Sequence, residues 1–166
     1  MVRGKIIIIV LAVVIGGTLL VRHIIRGEER RVLDRFDALS EWISKDSSEN
    51  IVQAAQRLRG LRALFDKTCA LEAHKDYLSG NYTPEEMVGI AVRARTRFKK
   101  LSLMFYDINV EFINDVVAEV KLTGRLTGLL TNNEPVNEIR ELESALKKLN
   151  GEWRFSRISV VEVLER

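Results

Sequence analysis

One cysteine, two prolines and two histidines in 166 residues set the first limits. A lone thiol, Cys69, excludes an internal disulfide and any zinc site built on several cysteines. With Pro84 and Pro135 as the only prolines, there is no proline-rich linker, and no repeat or low-complexity tract divides the chain. The length is that of about one domain, which excludes a multidomain enzyme. Acidic residues are missing altogether before Glu28. All 23 Asp and Glu lie from there onward, while Arg3, Lys5, Arg22 and Arg26 precede it. Residues 28–166 therefore hold 22 basic against 23 acidic side chains, a net of −1. The pI near 9.1 belongs to the N-terminal tail. A near-neutral body has no long-range field for a phosphate backbone, so nucleic acid is excluded as a partner. No Walker loop, Rossmann glycine pattern, His-Glu-x-x-His or Gly-x-Ser-x-Gly is present, so no cofactor and no metal is expected.

What is there begins with a long apolar run. Ile6 to Val21 carries no charge, and Ile24 and Ile25 extend it past Arg22 and His23. At a rise of about 1.5 Å per residue, residues 6–25 reach roughly 30 Å, one hydrocarbon core, with Arg22 snorkelling to the headgroups. Residues 1–27 thus read as an N-terminal membrane anchor flanked by Arg3, Lys5, Arg22 and Arg26. A cleaved signal peptide is the rival reading, but the run ends in Thr18-Leu19-Leu20-Val21 without an Ala-x-Ala-like site. The basic flanks count nearly equally on both sides, and the short N-terminal tail tips the reading toward an exported domain. The expectation is a single-pass inner-membrane protein whose C-terminal domain, residues 28–166, faces the periplasm or exterior.

Helices precede strands in that domain. Val32, Phe36, Leu39 and Ile43 recur at helical spacing over residues 28–45, and Ile51, Ala54, Ala55, Leu58, Leu61 and Phe65 do so over 50–65. Cys69 to His74 is a short strand or an extended connector. Thr83-Pro84-Glu85-Glu86 is a helix start, with Thr83 as cap, Pro84 at the first turn and Glu86 closing a capping box. That helix is expected to run toward Lys100 with Met87, Val88, Ala91, Ala94 and Phe98 on its core face. The period then becomes two, with Met104, Tyr106, Ile108, Val110 and Phe112 predicted on one apolar strand face. A turn at Asn114-Asp115 leads to a second strand through Leu130, where Gly124 and Gly128 allow bending or close approach. A third strand at Val136–Leu149, with a bulge expected near Leu142, and a fourth at Glu152–Leu164 flank the hairpin turn Asn150-Gly151. The fold class is α+β: a transmembrane helix, then helices packed on a curved antiparallel four-strand meander, cone-like in shape.

The tail Leu146-Lys-Lys-Leu-Asn150-Gly151-Glu-Trp153-Arg-Phe155-Ser-Arg-Ile158, preceded by this order of elements, resembles the closing hairpin of the nuclear transport factor 2-like superfamily. The resemblance covers residues 30–166. It implies a conical pocket between sheet and helices. In enzymatic relatives an Asp–His pair, or an Asp with a Tyr, lines that pocket as base and oxyanion donor. Candidates here are His74 and Asp107 for acid–base chemistry and Tyr77, Tyr82 and Tyr106 for the pocket wall. His74 in isolation is otherwise an ordinary surface or hydrogen-bonded residue, Asp107 a solvated carboxylate, Tyr106 core, and Cys69 an inert small hydrophobe. Arg93, Arg97 and Lys100 share one helix face, a solvated surface by default. The main functional reading is a membrane-anchored, non-catalytic domain of a bacterial-type cell envelope that binds a partner protein or a small apolar ligand and can form a homodimer. The alternative is a pocket enzyme doing acid–base isomerisation or dehydration on a small organic substrate.

Overall fold

The computed structural model describes residues 25–73 and 79–161. Helix α1 covers residues 25–43, α2 Ile51–Ala63 and α3 Pro84–Thr96. The strands are β1 Phe65–Glu72, β2 Gly80–Tyr82, β3 Phe98–Asn114, β4 Val117–Leu130, β5 Pro135–Leu149 and β6 Glu152–Val161. They form one curved, mixed six-stranded sheet in the order β2-β1-β6-β5-β4-β3. The expected meander is present as β3 to β6. The four-strand count is corrected by β1, which runs parallel to β6 and carries β2 on its far side. Cys69 lies in that β1 strand.

The residues expected to form the anchor, 1–24, lie outside the described residues, Arg3, Lys5 and Arg22 among them. Arg26 is exposed on the first turn of α1. Among the described residues no helix is long and apolar enough to cross a membrane. On that finding the expectation of a single-pass inner-membrane protein with an exported domain is corrected and set aside.

Both remaining helix starts are capped as their sequences require. Asn50 and Gln53 make reciprocal side-chain to backbone bonds at α2, and Thr83 and Glu86 do the same at α3. Helix α3 ends at Thr96, with Arg97 as its cap, and β3 begins at Phe98, earlier than the pattern suggested. On α3 the inward positions are Met87, Ala91 and Arg95, one every four residues, while Ala94 is exposed. The backbone of β3 explains a second correction. Asp107 has φ of 52°, and two residues, Asp107 and Ile108, stand against Leu122 between the pairs Tyr106–Thr123 and Asn109–Lys121. This bulge shifts the side-chain phase. Leu101 and Phe105 face inward before it, and Ile108, Val110 and Phe112 after it, so Met104 and Tyr106 point out and are 51% and 42% exposed. The bulge on the β5–β6 pair falls at Ser156 of β6, between the pairs Ala145–Arg157 and Leu146–Phe155, and β5 runs without interruption against β4. Gly128 is required where it stands: a Cβ there would lie 2.5 Å from the Lys100 carbonyl, and one at Gly124 would lie 2.7 Å from Leu142.

The register aligns the inward side chains in rows across the sheet. Phe112, Ala118, Leu146, Phe155 and Phe65 form one; Val110, Val120, Ser144, Ile158 and Leu71 the next; Ile108, Leu122, Leu142 and Val160 a third. Helix α1 packs on the concave face with Val32, Phe36 and Leu39 fully or nearly fully buried. The Phe36 ring meets Phe105 and Phe155 edge-on at 5.5 and 5.0 Å, and Phe155 meets Phe65 at 6.0 Å.

Polar contacts hold α1 at both ends. At its start, Glu28 accepts from Trp153 Nε1 at 2.8 Å and from Lys148 Nζ at 2.8 Å. At its finish, Ser40 Oγ donates to the Leu103 carbonyl, and Lys45 pairs with Leu101 through two backbone bonds of 2.7 and 2.9 Å. The Lys148 hydrogen bond holds the Glu28 carboxyl below the usual glutamate range. A lowered folded-state value stabilises the protein above the unfolded-state value, and that contribution is lost as pH falls through the folded one. Glu28→Gln is therefore expected to flatten the acid limb of the stability curve, leaving its neutral-to-alkaline shape intact, as read by urea unfolding at a series of pH values.

Candidate functional site

The concave face is not evenly covered. Leu122 in the Ile108–Val160 row is 4% exposed, while Ile108, Leu142 and Val160 of that row and Leu71 and Ile158 of the row before it are half-buried. Ile108, Leu142 and Ile158 pack against the core from the sheet side, and Tyr82 and Val88 do so from β2 and α3. Leu71, facing Ile158, lies at the same end, where β1 leaves the sheet. Beyond it the chain passes through residues 74–78 and returns in β2. The base of that connection is fixed because Ser79 Oγ accepts from the Ala73 amide at 3.1 Å and donates to the Ala73 carbonyl at 2.8 Å. Both His74 and Tyr77 fall in the connection, outside the described residues. The apolar end of the concave face and the residues on either side of this connection make up the candidate site.

Its polar features were not anticipated. Ser144 is 3% exposed in the row between Val120 and Ile158. Arg140 and Glu138 continue the inward phase of β5 past Leu142, opposite Gly124 and Leu126, and pair with each other at 2.8 Å at the rim. The signal for them was available: both keep step with Leu142 and Ser144 on a strand without a bulge. Tyr82 is half-buried and engaged in an interaction of its own.

Other candidates are placed elsewhere. Asp107 is exposed on the bulge and lines a shallow hollow of about 280 Å³ with Lys121, Thr123, Glu141 and Glu143. The register puts those four on the face opposite the core, while Leu122 and Leu142, which also line the hollow, carry inward side chains. Tyr106 is also on that outer face rather than in the core. Cys69 is fully buried, and burial, with the Asp66 charge adding to it, pushes its thiol up to about 12. It is a small hydrophobe, as its neighbours suggested. Among the described residues, no group of three or more His, Cys, Asp or Glu could hold a metal ion, and no carboxylate or imidazole lies on the inward rows under α1.

The most buried charge belongs to a different place. Arg95, 5% exposed, donates from Nη1 to the carbonyls of Trp42, Ile43 and Ser44 at 2.7, 2.9 and 2.5 Å, and from Nη2 to Glu49. Glu49 Oε1 lies 3.2 Å from Arg57 Nη1, an ion pair without hydrogen-bond geometry. Every strong donor of Arg95 is thus directed at the chain itself, so its role is structural.

Comparison with known proteins agrees with the architecture. No protein-family model matches the sequence and no curated protein does. Solved structures do. A protein of Kribbella flavida, Kfla4162, is similar with a TM-score of 0.69 at 8% identity, over 82% of this chain and 90% of that one. The hexachlorocyclohexane dehydrochlorinase LinA-type3 of Novosphingobium barchaimii is similar with a TM-score of 0.63 at 14% identity, over 81% and 86%. A scytalone dehydratase-like protein of Novosphingobium aromaticivorans follows at 0.60 and 19%, over 89% and 88%. The fold is the nuclear transport factor 2-like cone. At these identities the likeness is one of fold.

The burial of Cys69 makes a simple expectation. In the folded protein at pH 8 the thiol does not react with an aromatic disulfide reagent, and it reacts at once in denaturant; rapid labelling of the native state would contradict the packing of β1.

Proposed function

We propose that the chain is a pocket enzyme that binds a small, largely apolar organic molecule at the open end of its concave face and carries out acid–base elimination, dehydration or isomerisation on it. The observation that carries this reading is the set of half-buried side chains Leu71, Ile158 and Tyr82 on β1, β6 and β2, next to the β1–β2 connection in which His74 falls. Two proteins of like fold support it: the dehydrochlorinase, by its name, removes hydrogen chloride from an apolar ring, and the other is named for a dehydratase. In both reactions a base takes a proton from carbon as a leaving group departs. A neutral imidazole suits that step near pH 7. His74 is assigned the base, with Tyr77 or Tyr82 as hydroxyl donor to the developing charge. The apolar wall supplies binding area and keeps water from competing for the proton.

A second reading has its own support. A carboxylate on the inward phase of the described strands, Glu138, is already paired with Arg140 at the rim, which favours non-catalytic binding of the same class of ligand.

Elimination assays separate the two. The full chain, incubated with a panel of cyclic substrates bearing chloride or hydroxyl one carbon from an acidic C–H, is expected to release halide or water. His74→Gln should lose about 10²–10⁴ in rate while Asp107→Asn keeps it. Absence of turnover together with a retained apolar ligand in native mass spectrometry would establish the binding reading, and equal turnover in His74→Gln would remove His74 as the base.

A further inference from the structure

Strand β3 is an edge of the sheet along its whole length. Its first part is covered by the chain itself. Lys45 pairs with Leu101 through backbone bonds in both directions, Ser44 Oγ accepts from the Leu103 amide at 3.1 Å, and Ser40 Oγ donates to the Leu103 carbonyl. These contacts show which backbone groups point away from β4. Leu103 stands opposite Leu126 and Val110 opposite Val120, six residues apart on β4 and so in the same hydrogen-bonding phase. Beyond the bulge, Ile108, Val110 and Phe112 therefore present their amides and carbonyls outward, and none of these outward groups has a partner among the described residues.

The surroundings of this open edge are acidic. Ser40 contacts β3, so the flank of α1 that faces it carries Glu29, Leu33 and Asp37, at helical spacing from Ser40. At its other end α1 returns to β3, where Ile25 and Glu28 share a hollow with Phe112 and Asn114. On the strand itself stand Asp107, Glu111 and, at the turn, Asp115. Glu29, Asp37, Asp107, Glu111 and Asp115 form no ion pair within the described residues. The cations at the far end of the flank are Arg26 on the first turn of α1 and Lys148, which lines the same hollow and is paired with Glu28. Between the acids lie apolar side chains, Leu33 and the half-buried Ile108, Val110 and Phe112.

We propose that the free edge of β3 from Ile108 to Asn114, with the adjoining flank of α1, binds an extended basic segment of a partner protein by strand addition. Backbone pairing supplies affinity, alternate apolar side chains of the guest cover Val110 and Phe112, and its lysines or arginines meet the unpaired carboxylates. A second copy of this chain is a poor guest, because pairing β3 with itself sets Asp107 and Glu111 against like charges. The bulge at Asp107 ends the usable edge, so the guest is about five or six residues long, an ordinary strand length.

The test uses the full chain and two synthetic peptides, one alternating valine and lysine, the other valine and glutamate. The lysine peptide is expected to bind, to slow amide exchange at Val110 and Phe112 at least about tenfold, and to weaken as salt is raised. Val110→Pro removes one outward amide and no β4 bond, and should abolish binding. Asp37→Lys combined with Glu111→Lys, which leaves the backbone alone, should weaken it at least about tenfold. Equal binding of the glutamate peptide, binding that survives both variants, exchange unchanged at the edge, or protection that depends on the concentration of the chain alone would each overturn the proposal.

Discussion

Arg95 is the group on which the helical layer depends. Its guanidinium sits where the last turn of α1 would otherwise leave the carbonyls of Trp42 and Ile43 without donors, and it shares the Ser44 carbonyl with Arg57. The same side chain holds Glu49, and Glu49 faces Arg57 of α2. One residue of α3 thereby ties together the end of α1, the start of α2 and its own helix. A charge this deep is costly to desolvate and is tolerated because each donor has an acceptor. Lys45 extends the arrangement to the sheet through the Phe98 carbonyl at 2.8 Å and its backbone pair with Leu101.

This latch determines where the concave face is closed and where it is not. With the end of α1 fixed over β3 and its start held by Glu28 on Trp153 and Lys148, Phe36 is delivered between Phe105 and Phe155 and the middle rows are filled. Among the described residues, Leu71, Ile158 and Tyr82 stay half-buried next to the β1–β2 connection, whereas Leu122 in the third row is 4% exposed. The site is thus a remainder of how the helices are tied down. Its walls are apolar because the inward phase of four strands is apolar, and the polar groups it has, Ser144 and the Arg140–Glu138 pair, come from β5, where that phase persists past the covered region.

Much of this was legible from residue patterning. The helix at 28–45, the capping box at Thr83, the turn at Asn150-Gly151 and the close approach at Gly128 all follow from local chemistry that the tertiary structure does not override. The misses share a cause: they depend on contacts between distant residues. A six-residue stretch such as Cys69 to His74 cannot announce that its first part will lie parallel to a strand some ninety positions later. The face taken by Tyr106 was misread because one residue at positive φ, Asp107, reverses the alternation, and aspartate gives only a weak hint of it. Arg95 was invisible as a buried residue because its burial is created by carbonyls of another helix. For the site, the apolar walls were foreseeable as strand faces, Asp107 stands exposed on the bulge, and the placement of His74 and Tyr77 rests on sequence.

The most direct test of this account is hydrogen exchange on Arg95→Met alongside the parent protein. Losing the guanidinium leaves Glu49 and the carbonyls of Trp42 and Ile43 short of donors, a loss of about 3–5 kcal/mol for a broken buried pair. The account predicts that amides 40–45, those at the start of β3 and those at the start of α2 lose protection together, while the β4–β5 ladder keeps its own. Protection lost only at the end of α3, with α1 and β3 unchanged, would contradict the claim that this one side chain holds the helical layer to the sheet.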